Sequence, residues 1–321
     1  MIKDRSSINM SLLIRSLAIL SVVYNHAVID RYFAIHNHAD GLFFGLGYGG
    51  GAVTLMMLSG FHFAEYILSE SNPHMIKKKI FSFGKNIFIP SFLLVIFFFI
   101  ILKRFDIQEL LFYKNWFTVD RVSKFPTWYP QTIIQMLLVF YLILPFMSKP
   151  FVKAPLLTSG LFLAISVIIF LLSNSYKDSL NLINKTPLFY LWYFVLGWFI
   201  FYCIEKSHAH YRILASLTLI LCATLCMSFH SLHFYWIIFG GLCLIWIEKI
   251  NLPSYFKRVF VLIAQATFTL FLFHRFFFEV LEKVIPNQYN DIGLFVFGVI
   301  SSLGLWVAYT AFVRTFRKLK Y

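Results

Sequence analysis

Long apolar runs separated by short polar connections set the pattern of this chain. A helix needs about 20 apolar residues to cross ~30 Å of hydrocarbon. Runs of that kind predict helices near 11–33, 42–68, 86–102, 128–147, 155–173, 187–204, 211–229, 232–247, 257–280 and 292–313, ten in all. The runs are continuous and do not alternate over about ten residues, so helices are expected and not a barrel. The run at 232–247 is short, and across "FHSLHF" it also reads as half of a re-entrant hairpin with 211–229. The longest polar connection, 103–127, is expected to hold a short interfacial helix. No internal repeat is visible, and no polar stretch is long enough for a second domain. The expectation is one transmembrane domain over 1–321 without an appended soluble domain. The start, "MIKDRSS", leads into an apolar run with no small-residue cleavage site, which reads as a retained signal-anchor helix.

Composition agrees and excludes a soluble class. The chain is 60% hydrophobic, 20% aromatic and only 13% charged, with a mean hydropathy of +0.76. Soluble domains carry about 25% charged residues. The formal charge of +14 reflects 28 Lys and Arg against 14 Asp and Glu. If the N-terminus is cytoplasmic, seventeen of the basic residues fall in loops on that side and nine on the other. That bias predicts both termini inside. The positive charge is thus accounted for by topology and anionic lipid, and no nucleic-acid partner is expected. Cys203, Cys222, Cys226 and Cys243 lie in apolar runs without Cys-x-x-Cys spacing. They read as buried apolar side chains, and no metal site is expected.

The first helix holds the sharpest anomaly, "RSLAILSVVYNHA" (15–27). Arg15 and His26 are eleven positions apart, which is about 20° beyond three full turns, with about 16 Å between them along the axis. Both therefore share one face. Ionisable residues at membrane depth are costly and face a polar cavity or a partner. A plainer reading of each stays open: Arg15 snorkels to the headgroups, and His26 is a hydrogen-bonded structural histidine. Further intramembrane polar residues are Ser59, beside Gly60, and the pair His62 and Glu65, three apart on one helix face. Trp128, Tyr129 and Gln131 stand at the outer boundary, and His274 and Arg275 in the outer half of a late helix.

An arginine and a histidine with ten residues between them in a first transmembrane helix resemble the acyltransferase 3 family of membrane acyltransferases. Other stretches resemble it in order: "GGGAVTLMMLSGFHF" (49–63), "WYPQTIIQMLLVFYLILPFM" (128–147), "LWYFVLGWFIF" (191–201) and "TFTLFLFH" (267–274), with Phe271 where tyrosine is usual. One stretch departs. The family's basic Arg-x-Arg cluster before the third helix corresponds to "KKKIFSFGKNIFIP", where Lys85 matches one position and Ile87 falls at the other.

The resemblance implies transfer of an acetyl group from cytoplasmic acetyl-CoA, a donor substrate and not a bound cofactor. The acceptor is a sugar hydroxyl of an envelope polysaccharide, O-antigen or lipid-linked glycan, and the setting is the bacterial inner membrane. Transfer to a hydroxyl needs a group that exchanges a proton near pH 7, for which imidazole is the usual choice. His26 is accordingly expected as general base, with a transient acyl-histidine as the variant. Arg15, a fixed cationic fork, is expected at the pantetheine or phosphate part of the donor. Lys77, Lys78, Lys79 and Lys85, with Ser59, His62 and Glu65, are expected on the donor side. Trp128, Tyr129, Gln131, His274 and Arg275 are expected to line the acceptor side. The partners expected are acyl-CoA, the glycan acceptor, the lipid bilayer and a separate periplasmic protein. A lipid-linked sugar flippase, an O-antigen polymerase and a succinyl or other acyl transferase remain as alternatives. Against the flippase stands the absence of half-repeats, and against the polymerase that of a large external loop.

Overall fold

The computed structural model describes residues 5–29, 50–102, 106–116, 127–179, 185–229, 231–285 and 291–318. Parts of two expected spans, 30–33 and 42–49, and much of the polar connection at 103–127 lie outside these residues. Lipid offers backbone N–H and C=O groups no partner, so apolar runs satisfy them internally as helices. In chain order come β1 (Arg5–Asn9), α1 (Met10–Tyr24) continued by a π-helical turn (Asn25–Ile29), and α2 (Gly50–Phe63) continued by a second (Ala64–Leu68). Then follow α3 (Pro73–Leu102), α4 (Trp128–Lys153), α5 (Pro155–Ser175), α6 (Pro187–Glu205), α7 (Ala209–Cys226) and α8 (Leu232–Trp246). β2 (Lys249–Pro253), α9 (Ser254–Gln265), α10 (Thr267–Val284) and α11 (Asp291–Lys318) complete the order. The protein is an all-α, multi-pass membrane protein.

Among the described residues, eight helices are long and apolar enough to cross a membrane. The other two expected spans turn out differently. The run at 257–280 is not one helix: α9 and α10 meet at Ala266 with a bend of 77° and form a broken span or re-entrant loop. α8 has 15 residues, about 22 Å, short of ~30 Å of hydrocarbon. The third expected span, 86–102, starts earlier. Asn72 caps α3 by accepting from the N–H groups of His74 (2.9 Å) and Met75 (3.4 Å), with Pro73 in the first helical position. Lys77, Lys78 and Lys79 therefore stand on the opening turns of a 30-residue helix, not in a loop. The side chains facing outward are apolar, such as Phe146 (82% exposed) and Leu157 (77%). Polar ones such as Ser16, Thr54, Gln131, Ser159 and Ser166 are buried, the arrangement that suits lipid and not water.

Contacts divide the chain into two units, Met1–Leu55 with Phe229–Tyr321, and Met56–Ser228. In the first, α1 packs on α8, α9, α10 and α11. Val23, Ala27, Val28, Phe278 and Leu294 form a buried cluster there, ringed by Tyr24, Leu281, Phe295 and Val299. β1 and β2 pair antiparallel, from Arg5 opposite Pro253 to Asn9 opposite Lys249. The N–H of Met10 also donates to the carbonyl of Glu248 (2.9 Å). These bonds hold the start of α1 and the connection after α8 at one end of the unit. This agrees with the loop count that put Arg5 and Lys249 on the same side.

In the second unit α7 packs against α5 and α6, and α4 against α3. α2 and α6 cross at glycines: a Cβ on Gly60 would collide with the carbonyl of Phe194, and one on Gly197 with the carbonyl of Met57. Inside the polar connection a four-residue helix, Ile107–Leu110, is capped by Asp106, which also receives Lys114 at 2.7 Å. Burial pushes the Asp106 carboxyl up, but the Lys114 ammonium and two backbone N–H groups outweigh it and hold the group below its usual range. This short helix falls where the interfacial one was expected.

Candidate active site

Most of the helix that carries Arg15 and His26 is regular, but His26 itself stands in the π-helical turn Asn25–Ile29. A π turn is an accommodation inside a helix that recurs at functional sites. Here the N–H of Asn25 is shared between the carbonyls of Ser21 and Val22. Arg15 is half-buried on the preceding α-helical turns, and His26 is half-buried as well.

The partner of His26 comes from α10. The break at Ala266 starts that helix anew, and the Thr267 hydroxyl donates to the carbonyls of Ile263 (3.3 Å) and Ala264 (2.8 Å) at the end of α9. α10 then runs along α1. Arg275 Nη2 donates to His26 Nδ1 at 2.6 Å, across 249 positions of sequence. A guanidinium can only donate, so His26 Nδ1 is the accepting nitrogen. In the neutral ring the proton then lies on Nε2. His274, next along the helix, is fully buried, at 0% exposure. Its Nδ1–H donates to the carbonyl of Leu270 at 2.7 Å. A carbonyl can only accept, so His274 carries its proton on Nδ1 and a lone pair on Nε2. The two rings stack with centroids 5.2 Å apart and planes at 16°. Phe278 closes the edge of His274, at 5.5 Å and 74°. One site thus holds two imidazoles in opposite tautomers and a permanently charged guanidinium.

The expected residues fall into two groups. Arg15, His26, His274 and Arg275 belong to the first unit, where His26, His274 and Arg275 meet. His274 and Arg275 were expected to line the acceptor side; they stand directly on His26. The signal available in sequence was the depth of each residue, which cannot show that α1 and α10 lie side by side.

The remaining residues belong to the second unit. His62 Nδ1 and Glu65 Oε2 pair at 2.9 Å, the i,i+3 contact their spacing allowed. Glu65 stands in the second π turn. Lys79 pairs with Glu70 at 3.4 Å and lies over the Tyr66 ring at 5.3 Å. Lys77 lies over Tyr141 at 5.5 Å, while Lys78 and Lys85 are exposed. The basic stretch is therefore partly held by aromatic and acidic neighbours. Ser59 Oγ is 3.1 Å from the Tyr129 hydroxyl. Trp128 packs on Tyr190 at 5.0 Å, with Lys185 Nζ 5.9 Å above its ring.

Gln131 belongs to a polar knot that sequence reading did not single out. Its Oε1 accepts from the N–H of Asn115 at 3.2 Å, and Thr132 donates to the Lys185 carbonyl at 2.6 Å. Gln135 accepts from Trp116 Nε1 at 2.9 Å and donates to the Asn115 side chain at 2.7 Å. Gln131, Thr132 and Gln135 at i, i+1 and i+4 of one apolar helix were the available signal, since buried amides there require partners.

No curated protein and no solved structure matched the chain. The family model described as an acyltransferase domain, that of acyltransferase 3, matches residues 12–311, a stretch that contains every residue of the site. The chain belongs to the acyltransferase 3 family, as a membrane protein that transfers acyl groups.

Proposed function

We propose that this protein is an O-acyltransferase of the bacterial inner membrane, moving an acetyl group from cytoplasmic acetyl-CoA to a sugar hydroxyl of an envelope polysaccharide, O-antigen or lipid-linked glycan. The observation that carries the reading is the 2.6 Å bond from Arg275 to His26 Nδ1 beside the stacked ring of His274. Paired imidazoles are suited to taking and returning a proton near neutral pH. Charged and ionisable groups at membrane depth are rare and mark reaction or transport routes.

In the reaction proposed, the acceptor hydroxyl loses its proton as its oxygen attacks the thioester carbonyl. The thiolate that leaves takes a proton and departs as coenzyme A. His26 stands at the reacting atoms, held in one tautomer by Arg275. Arg15 holds the pantetheine or phosphate portion of the donor, with Lys77, Lys78, Lys79, Lys85, Ser59, His62 and Glu65 serving the donor side. Trp128, Tyr129 and Gln131 serve the acceptor side. The termini and the basic residues near them face the cytoplasm, where acetyl-CoA is found.

The test compares surface glycans by mass from cells with and without the gene. The reading predicts that the mass increment of one acetyl group per modified unit is present only with the gene; identical glycans contradict it. Arg15→Ala is expected to raise the KM for acetyl-CoA about tenfold, the loss of one charge-assisted contact worth about 1.4 kcal/mol. The check is acetyl-CoA titration of membranes that contain equal amounts of each protein. An unchanged KM removes Arg15 from the donor site.

A further inference from the structure

His274 is a buried histidine with one committed nitrogen and one that is not. Its Nδ1–H is spent on the Leu270 carbonyl, and its Nε2 is buried without a hydrogen-bond partner among the described residues. A buried polar atom left unpaired costs about 1–3 kcal/mol. His26 is in the complementary tautomer: its Nδ1 lone pair is occupied by Arg275, so in the neutral ring the proton lies on Nε2. Of the two stacked rings, the lone pair ready to receive a proton is therefore on His274.

We infer that His274 Nε2 is the proton acceptor of the acyl transfer and that His26, held by Arg275, acts through its Nε2–H as a hydrogen-bond donor to the thioester carbonyl oxygen. This rests on the acyl-transfer reading above. The hydroxyl must come within hydrogen-bond reach of Nε2, directly or through one water. The acceptor O–H bond breaks and its proton passes to His274 Nε2. The oxygen's electron pair forms the new C–O bond, and negative charge collects on the carbonyl oxygen opposite the His26 N–H. The C–S bond then breaks with its electron pair going to sulfur. The thiolate takes the proton from His274, which returns to its starting state, leaving an ester and free coenzyme A.

The test uses membranes containing the full-length protein and the cells' own glycan, with acetyl-CoA labelled in the acetyl group. His274→Asn keeps an amide N–H where Nδ1 lies, so the bond to Leu270 survives and only the Nε2 lone pair is lost. His26→Gln keeps an N–H near Nε2. The assignment predicts a loss of about 100-fold for His274→Asn, the usual share of a general base, and a loss of less than tenfold for His26→Gln. It also predicts that the acid limb of the pH–rate profile disappears in His274→Asn, which a purely structural histidine would not cause. Should the asparagine variant fail to insert, the pH–rate profile of His274→Gln, whose amide lies nearer Nε2 and has no basic nitrogen, is read in its place: loss of the acid limb is expected, and its persistence overturns the assignment. A His274→Asn enzyme within tenfold of wild type overturns the assignment while leaving the acyl-transfer reading intact. A His26→Gln loss exceeding that of His274→Asn returns the base to His26 and overturns it equally. Wild-type membranes that transfer no label contradict the acyl-transfer reading itself.

Discussion

His26→Ala is expected to lower acyl transfer by about 10²–10⁴-fold, the range spanned by removal of a proton-handling or charge-stabilising group. The variant removes the ring against which His274 stacks and the acceptor that Arg275 donates to. Arg275 would lose this acceptor while staying charged. Loss of a hydrogen bond to a charged group costs about 1.5–3 kcal/mol, so a part of the loss appears as lowered stability. The two contributions separate by experiment. Thermal unfolding in lipid measures the stability cost, and turnover per inserted molecule measures the chemistry. A drop in unfolding temperature with unchanged turnover would make His26 a structural histidine.

The second large effect lies in the other unit and concerns folding. Gly60→Leu or Gly197→Leu is expected to prevent accumulation of the folded protein, and Gly60→Ala to reduce it strongly. At each glycine the atom in the way is backbone, the carbonyl of Phe194 or of Met57, so no rotamer change can relieve the collision. The two helices must move apart. Small residues at helix crossings in lipid let backbones approach, and dispersion across that approach is much of what holds such helices together. Overpacking a well-packed core costs about 1–3 kcal/mol or more, and a backbone obstacle places these changes at the upper end. Gly84→Ala is the control: a Cβ there meets a side-chain carbon of Leu137 at 3.5 Å, an ordinary contact. Fluorescence-detected size exclusion of the variants checks the expectation. Gly197→Leu eluting with the yield and profile of wild type would refute the close crossing.

Much of the architecture was legible because membrane solvation acts on local sequence. A run of about 20 apolar residues must become a helix in lipid whatever its neighbours. The pair His62 and Glu65 followed from helical periodicity alone. What stayed hidden depends on tertiary contact or on a one-residue adjustment. The strand pair joins Arg5–Asn9, which does not alternate, to Lys249–Pro253, which alternates as K-I-N-L-P but over only five residues. The π turn at His26 has no marker residue, and the 77° break at Ala266 has no proline or glycine beside it. Lys77, Lys78 and Lys79 read as a loop because charge ends an apolar run, whereas the cap at Asn72 extends the helix beneath them. Arg275 and His274 were placed at useful depth, but their contact with His26 needed the fold.

The most direct test of the account uses inside-out membrane vesicles, so that labelled acetyl-CoA reaches only the cytoplasmic face. The account predicts that label appears as alkali-labile ester on glycan inside the vesicles with the wild-type protein and is absent with His26→Ala at equal insertion. Equal labelling by wild type and His26→Ala would contradict it.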